Sequence, residues 1–61
     1  MTDDEFADRI RTACIEAALE AFEAAGISGL CLEGRWEIAI QAMRTLDLRP
    51  LVVSRGQADT D

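Results

Sequence analysis

Residues 12–26 read TACIEAALEAFEAAG. Within them, polar side chains recur only at Thr12, Glu16, Glu20 and Glu23. Steps of four and three line those residues along one side of an α-helix. Glu5 and Arg9 extend the same ridge toward the N-terminus. Everything else after Arg11 is apolar, so the apolar arc is wider than the ~100° stripe of an ordinary surface helix. One side of that arc is mostly small: Ile10, Ala13, Cys14, Ala17, Ala21 and Ala24. The adjoining side is large: Ile15, Leu19 and Phe22. A helix with so broad an apolar arc needs more than one neighbour.

Outward from this stretch, the helix is bounded by sequence signals. Thr2 followed by Glu5 reads as a capping box, and Met1 with Phe6 as a hydrophobic staple. Asp3, Asp4 and Glu5 sit in the first turn, where the helix dipole favours negative charge. Gly26 falls where a left-handed residue would end the helix, with Ile27 folding back on Phe22. The first helix is therefore expected over about residues 3–25. Residues 26–34, GISGLCLEG, are rich in helix breakers and form the connection.

A second helix is expected over about residues 33–48. Leu32, Trp36, Ala39, Met43 and Leu46 alternate steps of four and three, the pattern of a packing seam. Ile40 and Ala42 widen that seam, and Ile38 points away from it. Glu37, Gln41, Arg44 and Thr45 form a polar face, with Arg44 and Asp47 placed for an ion pair. Pro50 marks the end of the helix. Leu51–Val53 is apolar and β-prone, but too short for an independent strand. Residues 54–61, SRGQADTD, read as a polar, flexible tail, which leaves residues 1–53 as the single folded unit.

The inventory of side chains closes off much chemistry. The chain has 61 residues, 12 acidic and 6 basic, with a net charge of −6. All six basic residues are arginine, and histidine and tyrosine are absent. A nucleic-acid partner requires a basic face, and an anionic membrane favours a basic helix surface. Neither pattern is present. No run of ~18 apolar residues suggests a membrane span. The acidic N-terminus lacks the basic region of a signal peptide, so the expected compartment is the cytoplasm. Without histidine, no base, nucleophile and orienting group assemble for acid–base or covalent catalysis. No catalytic, cofactor or metal residue is therefore assigned.

Cys14 and Cys31 are the only thiols. Cys14 lies about eleven residues, or roughly 16 Å along the axis, from the end of the first helix. Cys31 lies in the connection. That separation exceeds the ~7 Å between Cα atoms that a disulfide allows. Cys14 reads as a small core residue, whereas Cys31, near a helix start, is the candidate for redox reactivity. Glu16, Glu20 and Glu23 repel one another slightly along their ridge. They are explained either by solvation or by a basic partner surface.

The stretch GLCLEGRWEIAIQAMRTLDL, residues 29–48, resembles a pattern in short uncharacterised bacterial helical proteins that carry a GLCxEGxWE-like segment. Leu30, Cys31, Glu33, Gly34, Trp36, Glu37, Ala39 and Leu46 carry the likeness, over about a third of the chain. The resemblance implies a helical hairpin and no activity.

The expected fold is all-α, a two-helix antiparallel hairpin that forms a four-helix bundle by homodimerisation. Helix 2 covers one apolar side of helix 1, and a second copy covers the other. The interface candidates are Ile15, Leu19, Phe22, Trp36, Ile40, Met43 and Leu46. The expected function is that of a small non-enzymatic interaction module: an adaptor, regulator or accessory subunit. Another protein could replace the second copy, and a thiol-based redox sensor using Cys31 is the alternative from a different class.

Overall fold

The computed structural model describes residues 1–59, with side chains through Arg55. It contains three helices: α1 (Asp3–Ile27), α2 (Leu32–Thr45) and α3 (Arg49–Asp59). No strand occurs among the described residues. α1 and α2 form the expected antiparallel hairpin, and α3 folds back onto the N-terminal part of α1.

α1 begins at the expected residue, with Thr2 as its N-cap. The Thr2 hydroxyl oxygen accepts the backbone N–H of Glu5 at 3.1 Å, and three acidic residues occupy the first turn. The C-terminal end differs from expectation. The helix runs through Gly26 and stops at Ile27, with Ser28 as its cap. Gly29, not Gly26, takes the left-handed conformation, at φ 89°. Leu30 N–H donates to Ala25 O and Gly29 N–H to Gly26 O, both at 3.0 Å. That pair of bonds is a Schellman motif, displaced three residues from the expected position. Ile27 therefore does not fold back on Phe22; it is 89% exposed.

Gly26 serves another purpose. A methyl group there would lie 3.2 Å from the Arg35 guanidinium carbon. Arg35 lies over this bare patch of backbone, and its Nε donates to Leu30 O at 2.9 Å. One side chain from the first turn of α2 thus satisfies a connection carbonyl and places positive charge at the negative end of the α1 dipole. Gly34 completes the corner by admitting the Leu30 side chain, which would come within 3.2 Å of a Cβ.

The seam between α1 and α2 is built of small residues. Ala25 and Ala39 are the only fully buried hydrophobic residues described, 5% and 1% exposed. On α1, Cys14, Ala18 and Ala21 are half-buried and lead to Ala25 in steps of four, three and four. On α2, Arg35, Ala42 and Leu46 flank Ala39 with the same rhythm. The seam expected from Leu32, Trp36 and Met43 is therefore rotated. Those three residues are exposed, and only Ala39 and Leu46 are shared with the seam that forms. Small side chains opposed to small ones let the two helices meet, whereas Trp36 and Met43 against alanines would hold them apart.

α2 ends at Thr45, three residues before the expected Leu48. The Thr45 hydroxyl donates to Gln41 O at 2.9 Å, and Leu46 turns extended with its side chain half-buried. Asp47 then pairs with Arg49 rather than with Arg44. Its carboxylate accepts the Arg49 backbone N–H at 3.0 Å and the guanidinium at 2.9 and 3.0 Å. These bonds initiate α3. Pro50 lies in its first turn, where a missing N–H costs nothing. Residues 51–53 are thus helical rather than β-like, and residues 54–59 of the expected flexible tail continue that helix. Thr60 and Asp61 lie outside the described residues. Arg55 fastens α3 by pairing with Asp3 and by placing its guanidinium 4.5 Å above the centre of the Phe6 ring. That contact combines an ion pair with a cation–π interaction.

Two outcomes test this description. Gly29→Ala should destabilise the chain by about 1–2 kcal/mol, because an L-residue is forced into left-handed backbone. Gly26→Ala should be near neutral, since about 1 kcal/mol gained in helix propensity offsets displacement of Arg35. Thermal melting of both variants checks the contrast; a Gly26 cap would reverse it. The Arg49 side chain, and then its backbone N–H, hold the Asp47 carboxyl below its ordinary value. A carboxylate with a lowered folded-state pKa stabilises above its unfolded value and loses that contribution as pH falls. Circular dichroism should therefore show α3 fraying below about pH 4, and the Asp47→Asn variant should lack this transition.

Candidate interaction surface

Because alanines occupy the seam, the large apolar side chains lie to one side of it. Phe22 and Trp36 meet edge to face across the hairpin, ring centres 5.1 Å apart and planes at 63°. Next to them, Ala18, Leu19, Phe22, Trp36 and Ala39 line a groove of about 190 Å³ with no polar side chain in its wall. Leu19 and Trp36 are each 57% exposed, although they form that wall. Ile15 on α1 and Ile40 and Met43 on α2 are also exposed, in helical register with the same groove.

Of the expected interface residues, the structure thus gathers Ile15, Leu19, Phe22, Trp36, Ile40 and Met43 on one face. Leu46 is separate. It is half-buried beyond the end of α2, in the seam. The expectation that Trp36 lies in the α1–α2 seam is corrected. Trp36 meets Phe22 edge to face and leaves more than half of its surface uncovered. On the opposite flank, Ala24, Leu30 and Ile38 border a shallower recess near the connection. Sequence periodicity missed Arg35, whose guanidinium lies over Gly26 in the last turn of α1.

The exposed surface is large for the mass. The chain exposes 4719 Å², whereas a compact monomer of 6.7 kDa exposes about 3,900 Å². Its Cα radius of gyration is 14.5 Å, against about 10.5 Å for a compact chain of this length. The Cα extents are 47 × 17 × 15 Å. Those short dimensions fit helices lying side by side, with no second layer to cover the large side chains.

Both cysteines are free thiols. Cys31 is the N-cap residue of α2 and is exposed; Cys14 is half-buried in the seam. Among the described residues, no three of His, Cys, Asp and Glu gather to hold a metal ion. Among the described residues, no helix is long and apolar enough to cross a membrane. Iodoacetamide should alkylate Cys31 at least tenfold faster than Cys14, because access sets the difference in a folded chain. Peptide mass spectrometry over a time course measures both rates, and equal rates would mean the seam opens freely.

No family model, curated protein or solved structure matches the chain.

Proposed function

We propose that the chain is a small non-enzymatic interaction module, an adaptor, regulator or accessory subunit, that works through helical self-association. Two copies apply their Ile15–Leu19–Phe22 and Trp36–Ile40–Met43 faces to each other and close a four-helix bundle. The observation that carries this reading is the surplus of exposed surface. It amounts to roughly 800 Å², the area each partner contributes to an interface of standard size. Beside that surplus, the chain carries a face whose exposed side chains are large and apolar. Tryptophan beside phenylalanine is the composition of an energetic centre in such contacts.

The chain's inventory supports a binding role over a catalytic one. With no histidine and no tyrosine, the residues lack the usual proton-transfer groups of neutral pH. A second reading, thiol-based redox sensing, is favoured by one observation: Cys31 is exposed at the start of α2. It leaves the apolar face without a use, so self-association is preferred.

Sedimentation equilibrium at micromolar concentration should return about twice the chain mass. Trp36→Ala should weaken the dimer by about thirtyfold or more, the effect of removing a central hot-spot side chain. Ile38→Ala, on the opposite flank, should leave the dissociation constant within about threefold. A folded monomer at every concentration would overturn the proposal and leave the face to a different protein.

A further inference from the structure

The apolar face has edges, and they carry the same charge sign. Along α1 its outer edge is the ridge of Arg9, Glu16, Glu20 and Glu23, all exposed. Along α2 the outer edge holds Glu33, Glu37 and Arg44, also exposed, with the neutral Gln41. Each edge is net negative. At the N-terminal end of the face Asp8 and Arg11 neutralise each other at 3.2 Å. Among the described residues, no ion pair engages any of those five glutamates.

We infer that self-association through this face is tuned by ionic strength, the acidic edges opposing what the apolar centre favours. The inference rests on the self-association reading above. Its logic rests on the net charge of each edge. In an isologous contact the α1 edge of one copy lies beside either the α2 edge or the α1 edge of the other. Both alternatives oppose net negative to net negative. Like charges across a rim cost affinity and are screened by salt, because the Debye length falls from about 10 Å at 0.1 M to about 3 Å at 1 M. The apolar centre has no such dependence. The bundle should therefore be loosest in dilute salt and tighten as counter-ions accumulate, the reverse of an assembly held by ion pairs.

The test compares the dimer dissociation constant at about 50 mM and about 500 mM NaCl, for the parent chain and for Glu16→Gln/Glu23→Gln/Glu37→Gln. All three substitutions are at exposed positions and leave the apolar face intact. The parent should tighten about fivefold or more over this range. The triple variant should start tighter in low salt and change by less than about twofold. A parent dimer that is indifferent to salt, or a variant that follows the parent's dependence, would overturn the inference while leaving self-association standing. A chain that is monomeric at both salt concentrations would remove the self-association reading and this inference with it.

Discussion

The constraint on which the structure depends is the small size of the residues at the centre of the α1–α2 seam. Ala21 and Ala25 on α1 and Ala39 on α2 are buried or half-buried, and each removes little more than a methyl group from water. Burial of a large aliphatic or aromatic side chain contributes about 1.5–3 kcal/mol, and alanine far less. A hairpin joined on alanines is therefore held mainly by its helix ends and corner. It also projects its bulk sideways. The exposed positions of Leu19, Trp36 and Met43 follow directly from what fills the seam.

The corner compensates for part of what the seam lacks. Gly29 takes a conformation that other residues resist, Gly26 and Gly34 admit neighbouring side chains, and Arg35 binds the turn from α2. At the other end, Arg55 ties α3 to Asp3 and Phe6. The hairpin is thus fastened at its extremities by arginine and left open along one flank. With Ala39 in the seam, helical register turns Trp36, Ile40 and Met43 toward the same side as Leu19.

Both hairpin helices were legible in the sequence because their periodicity and caps are local properties. Thr2 announced the start of α1, and the glutamate ridge announced which side faces water. The rotation of α2 was not legible. Trp36–Met43 and Arg35–Ala42 are equally good four-and-three rhythms around Ala39, and choosing between them requires the partner helix. Size misled: the larger residues suggested the seam, but the opposing side of α1 offered mostly small residues. The cap of α1 was misplaced because three glycines compete for one left-handed position, and only Gly29 has open space with no close neighbour. α3 was missed because Pro50 reads as the end of the second helix, whereas it lies in the first turn of the third. Asp47 two residues before Arg49 was the local signal for that start. Of the interface candidates, Leu46 lies apart from the other six, because it is half-buried in the seam beyond the end of α2.

The elongation of the chain has a hydrodynamic consequence. With Cα extents of 47 × 17 × 15 Å, its long axis is nearly three times its short ones. Such a body tumbles anisotropically and meets more friction than a sphere of equal mass. A single copy would leave a sizing column early, in the place of a heavier compact protein. Pairing side by side would thicken the particle without lengthening it, so frictional ratio would fall as mass doubled. Elution position would then shift less than mass does, and shape, not size alone, would mark the change of state.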